Sequence, residues 1–142
     1  MVKSAFKLSK QRTAFKLNKK WRYAIGKDIE NITRFRKMGV SYITLCHNGS
    51  NDICDSARGD AEWNGLSPFG KEVVRKMNET GVLFDISHAA ESTFYDALET
   101  STYPIIAFHS SARALCNHPR NLTDEQLKAL AEQGGVAQIC LY

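Results

Sequence analysis

No stretch of this 142-residue sequence stays apolar for the ~20 residues that a membrane-crossing helix needs. The basic start has neither the apolar core nor the small-residue cleavage site of a secretory signal. Those two absences favour a cytoplasmic location. No C-x-x-C occurs among the four cysteines, which argues against a zinc ribbon and a thioredoxin-like redox site. The thiols are expected reduced, as in an interior compartment. No G-x-G-x-x-G follows a strand-like run, so a dinucleotide-binding fold has no support. No internal repeat is visible. Acid is missing from residues 1–22, which hold eight of the 19 Lys and Arg and leave 11 basic against 15 acidic side chains in the remainder. Such a leader could bind nucleic acid or an acidic surface, or be a solvated, disordered tail. It carries no aromatic stacking platform, so nucleic acid is not expected as a partner.

What is present suits one soluble α/β domain, with 43% hydrophobic and 24% charged residues. Asp28 can cap a helix whose apolar residues Ile29, Ile32, Phe35 and Met38 recur at helical spacing, with Gly39 as its stop. Residues 40–46 (VSYITLC) then read as a strand. Residues 48–66, rich in Asn, Asp, Ser and Gly, read as a long loop of the kind that carries function. Ser67-Pro68 opens a helix with Phe69, Val73, Val74 and Met77 inward, and Gly81 closes it. Residues 82–87 (VLFDIS) form the next strand, and a short helix follows near residues 92–100. Residues 104–108 (PIIAF) are a third strand. Thr123 with Gln126 predicts a capping box. The helix it opens stops at Gly134-Gly135, before a fourth strand over residues 136–141. About four strands with intervening helices imply right-handed crossovers and a parallel sheet. Near-continuous apolar strands fit a sheet covered on both faces or closed into a barrel.

Three of the four histidines, His47, His88 and His109, directly follow these strands. In a (β/α) barrel the carboxyl ends of the strands converge on one face, where active sites lie. Several imidazoles in one cleft are what metal binding needs, although a single strand-end histidine is more often a hydrogen-bonded loop residue. His118 reads as structural. Arg120 is a candidate anchor for a carboxylate, which a guanidinium can hold bidentately.

The stretches YITLCHNGSNDICDSARG (42–59), EWNGLSPFGKEVVRKMN (62–78), VLFDISHAAESTFYDALE (82–99) and FHSSARALCNHPRNLTDEQLKALAEQGGVAQICLY (108–142) resemble the membrane (renal) dipeptidase family, zinc metallopeptidases of family M19. The likeness runs from about Tyr23 to Tyr142. It implies part of a (β/α)8 TIM-type barrel, two zinc ions in the intact family, and hydrolysis of dipeptides by metal-activated water. On that resemblance the S-H and H-S-S-A motifs give His88 and His109 as ligands of one zinc. The T-L-x-H motif places His47 near the substrate, where it helps stabilise the tetrahedral intermediate. The arginine of the R-N motif, Arg120, would hold the substrate carboxylate.

The sequence also departs from the family pattern. No H-x-D occurs, Lys20 stands where the resemblance expects a bridging glutamate, and the family's catalytic aspartate is not reached. Residues 1–22 are therefore expected to be a non-homologous, disordered or out-of-frame leader, and residues 23–142 a partial barrel domain. Such a chain is expected to bind at most one zinc weakly and to be inactive alone. The alternative is a non-catalytic remnant that binds peptide or a partner. Open barrel edges would favour self-association, or complementation by a remainder.

Overall fold

In the computed structural model, residues 13–15 and 25–140 are described. Strand β1 is Thr13–Phe15, helix α1 Glu30–Lys37 and strand β2 Val40–Thr44. Helix α2 is Pro68–Thr80, strand β3 Leu83–Asp85 and helix α3 Glu91–Thr100. Strand β4 is Ile106–Ser110, helix α4 Asp124–Glu132 and strand β5 Val136–Ile139. Lys20 and the rest of residues 1–12 and 16–24 lie outside the described residues.

All five strands belong to one sheet, in the order β1-β2-β3-β4-β5, and every pairing is parallel. Parallel neighbours need crossovers, and from β2 onward each crossover contains one helix. The four expected strands are present. Strand β1, inside the segment expected as a leader, adds a fifth and pairs with β2 through Thr13 opposite Val40. This sequential, all-parallel α/β arrangement is part of a TIM-type barrel.

Local chemistry sets the element ends. Ser67 caps α2 by accepting a 2.8 Å hydrogen bond from Gly70 N–H, with Pro68 at the first helical position. Gly81 ends that helix in the left-handed conformation, φ 69°. Thr123 and Gln126 form the full capping box of α4. Helix α1 starts one residue late: Ile29 holds the cap position, while Asp28 Oδ1 accepts from Glu30 N–H at 3.0 Å.

Two strands differ from the pattern-based bounds. β3 stops at Asp85 because that carboxylate takes the N–H of Ser87, which a continuing ladder would have used. β4 runs on to Ser110 because its pairing with β5 extends to Ser110 opposite Ile139, so His109 lies within the strand and not after it. The core lies between sheet and helices. Phe84, Phe94, Ile32, Ile43, Leu45 and Met77 are its largest fully buried side chains. Met38, expected on the inner face of α1, is at the helix end and exposed.

Candidate active site

The carboxyl ends of β2, β3 and β4 bring three histidines together. His47 follows β2 by three residues and His88 follows β3 by three, while His109 is in β4. The His47 and His88 rings stack with centroids 4.1 Å apart. The His88 and His109 rings meet edge to face, centroids 4.9 Å apart. His88 is buried and has φ 75°, a left-handed conformation that is uncommon for any residue but glycine. Strain of this kind gathers at functional sites, where the surrounding structure over-determines it.

Hydrogen bonds supply that over-determination. The Ser56 hydroxyl, from the 48–66 loop, donates to His47 O at 2.6 Å and lies 3.2 Å from His88 O. Ala57 N–H donates to His88 O at 2.8 Å. Asp85 Oδ2, at the end of β3, accepts from Thr44 Oγ1 of β2 at 2.8 Å. Asp85 Oδ1 accepts from Ser87 Oγ at 2.6 Å, from Ser87 N–H at 2.9 Å and from Phe108 N–H of β4 at 3.0 Å. The Ser87 hydroxyl in turn accepts from His109 N–H at 3.0 Å.

Arg120 reaches the same place from the loop before α4. Its Nη2 donates to His109 O at 3.1 Å and lies 3.2 Å from His109 Nδ1. A guanidinium has no acceptor, so His109 Nδ1 must be the acceptor there and the ring proton sits on Nε2. His118, read from the sequence as structural, accepts from Arg120 N–H at Nδ1 at 3.2 Å and from Asn121 N–H at its carbonyl.

The 48–66 loop is built around Asp55. Its carboxylate accepts from the N–H groups of Glu62, Trp63 and Gly65, and its carbonyl accepts from Ala90 N–H and Thr93 Oγ1 of α3. Burial pushes this carboxyl up, but the backbone N–H groups of Glu62, Gly65, Trp63 and Asn64 outweigh it and hold the pKa below the usual carboxylate range.

Sequence reasoning singled out His47, His88, His109 and Arg120, and all four converge. It missed Asp85, Ser87, Ser56 and Asp55. The available signal was a carboxylate closing an otherwise apolar strand run (VLFD), where a charge is costly unless bonded.

Two imidazoles on one tetrahedral zinc place their centroids about 5 Å apart, given Zn–N bonds of about 2.1 Å. The His88–His109 pair meets that spacing. Among the described residues, however, no group of three or more His, Cys, Asp or Glu could hold a metal. The donor set fits half of a four-coordinate site.

The family model for membrane dipeptidase, peptidase family M19, matches residues 7–142. The chain belongs to this family. The match reaches well before Tyr23 and includes β1. Dipeptidase tcpJ of Claviceps purpurea is 40% identical over 118 residues, 82% of this chain and 28% of that protein. An uncharacterized dipeptidase of Schizosaccharomyces pombe is 39% identical over 112 residues, 78% of this chain and 27% of that protein. Among solved structures, the probable dipeptidase PvdM from Pseudomonas aeruginosa superposes with TM-score 0.78 at 32% identity, over 81% of this chain and 30% of that one. A metallopeptidase from Rhodobacter sphaeroides, liganded with a phosphinate mimic of the dipeptide L-Ala-D-Ala, gives TM-score 0.76 at 27% identity, over 82% and 34% of the two chains. This M19 chain thus spans about a third or less of the length of these relatives.

Proposed function

We propose that this M19 chain carries the zinc and peptide-carboxylate elements of a metallodipeptidase centre, with His88 and His109 as ligands of one zinc ion. The observation that carries the proposal is the 4.9 Å spacing of those two rings at the strand ends. A bound zinc would act as a Lewis acid on the peptide carbonyl and lower the pKa of water toward neutrality. The chain's own residues do the rest. His47, stacked on His88, lies beside the reacting carbonyl, where its ring N–H would donate to the oxygen as negative charge develops. Arg120 holds the substrate's terminal carboxylate, a cation–anion pairing that selects short peptides. Dipeptides are the proposed substrate class, in keeping with the ligand of the Rhodobacter relative.

Zinc catalytic sites use at least three protein ligands. With His88 and His109 as the two candidate ligands among the described residues, the isolated chain is expected to hold at most one zinc weakly and to show no dipeptide turnover. Zinc titration by calorimetry, followed by metal analysis after dialysis, tests this. Expected is weak binding that disappears in His88→Ala and in His109→Ala. Binding that survives both substitutions would sink the assignment, and tight zinc with chelator-sensitive hydrolysis would overturn the inactive reading.

A second reading, favoured by the lack of a third donor among the described residues, is a non-catalytic chain that binds peptide or a partner. We also propose self-association through the sheet edge. Among the described residues β5 pairs only with β4, and its Val136 and Ile139 are 55% and 80% exposed. Open, apolar edges of this kind recruit further strands.

A further inference from the structure

We propose that Asp85 is the positioning residue of the histidine cluster, a buried carboxylate that locks the ends of β2, β3 and β4 so that His88 and His109 face one point. The functional meaning of this inference rests on the zinc reading above. The geometry does not.

Asp85 is 1% exposed, and a carboxylate buried that deeply persists only when donors replace its water. Its donors come from three neighbouring strands: the Thr44 hydroxyl at the end of β2, Ser87 in the turn after β3, and the Phe108 N–H within β4. Each donor sits next to the histidine-bearing backbone. Thr44 is three residues before His47, Ser87 directly precedes His88, and Phe108 directly precedes His109. Ser87 extends the chain of contacts by accepting the His109 N–H.

Two features show that this is more than strand pairing. β3 ends at Asp85: Ile86 N–H still donates to Ile106 O of β4, but the N–H of the next residue, Ser87, turns back to the carboxylate. His88 then adopts φ 75°, which its local sequence disfavours and which must be imposed from outside. The bond from Ser87 N–H to Asp85 Oδ1 works together with the backbone turn closed by Ala89 N–H to Ile86 O, and within that turn the His88 ring meets that of His109. Groups that orient metal-binding imidazoles from behind are typically worth about 10–100-fold in affinity.

The bonding dictates the substitutions. Asp85→Asn keeps one acceptor oxygen for Ser87 and Phe108 and can donate its amide to the Thr44 hydroxyl, so it should preserve the arrangement. Asp85→Ala removes every acceptor. Val73→Ala, in the core and away from the histidines, serves as a control for general destabilisation. The whole chain is studied by NMR without metal, following the ring nitrogens of His88 and His109 and the cross-relaxation between their ring protons, and then by zinc titration.

Expected is loss of ring-to-ring contact and a fall of about tenfold or more in zinc affinity for Asp85→Ala. Asp85→Asn should rescue both, and Val73→Ala should leave both in place. If Asp85→Ala does not fold, Ser87→Ala and Thr44→Val each remove one arm, and Ser87→Ala should shift the His109 ring signals. Intact ring contact in Asp85→Ala, or unshifted His109 signals in Ser87→Ala, overturns the proposal. Scattered rings in Asp85→Ala, with no zinc bound by the unmodified chain, would uphold the positioning role and remove the zinc reading. Equal zinc affinity in the unmodified chain and Asp85→Ala would do the reverse.

Discussion

Two side chains at the site make opposite electrostatic demands. Arg120 donates to His109 Nδ1, which keeps the ring proton on Nε2. Ligation through Nε2 would move that proton to Nδ1, so Arg120 would have to turn its Nη2 off Nδ1, toward the substrate carboxylate it is proposed to hold. Arg120→Ala is therefore expected to tighten zinc binding several-fold and to abolish affinity for a dipeptide carboxylate. Paired calorimetric titrations check both halves, and a variant that loses zinc would contradict this geometry. Asp55 makes a demand on pH. Its folded pKa lies below the ordinary aspartate value of 3.8, so the native state holds fewer protons than the unfolded chain at acid pH. The stability it contributes is whole above the unfolded pKa and is lost as pH falls through the folded one. Asp55→Asn should flatten the acid limb of a stability–pH curve. Asp55→Ala should cost about 2 kcal/mol or more at neutral pH, because the N–H groups of Glu62, Trp63 and Gly65 lose a buried acceptor. Urea unfolding at several pH values measures both.

Helix α2 and the 48–66 loop depend on each other at close range. A Cβ on Gly70 would run into the carbonyl of Ile53, and backbone cannot give way as a side-chain tip can. Gly70→Ala is expected to destabilise the chain by about 1–3 kcal/mol. Hydrogen exchange should show the loop opening first. Much at this scale could be read in the sequence, because the determinants are local. Ser67-Pro68, Gly81 and the Thr123–Gln126 box act within a few residues of the ends they set. The gathering of His47, His88 and His109 followed from a rule about strand ends, and their motifs from family likeness. The features that could not be read depend on partners far apart in sequence. Thr44 meets Asp85 across 41 residues. No window of chain contains that bond, and the hold of Ser56 and Ala57 on the His88 carbonyl and the reach of β4 to Ser110 depend on such contacts, whereas β3 ends on a bond made within two residues.

At the scale of the molecule, the sheet presents an exposed apolar strand at β5. Ile139→Lys would place a charge on that strand, a device that natural sheets use against edge-to-edge pairing. Sedimentation over a range of concentrations should show the unmodified chain associating and Ile139→Lys shifted toward monomer. A chain that stays monomeric throughout would end the self-association proposal. The strand order carries one more consequence. Each strand lies beside its immediate predecessor in the chain, so nothing is interleaved. Among the described residues, a strand added by a second copy or another partner has the outer side of β5 to pair with. The His88–His109 pair lies one strand in from that side. A partner strand placed there would stand beside β4, whose Phe108 N–H and His109 are already tied to Asp85 and Ser87.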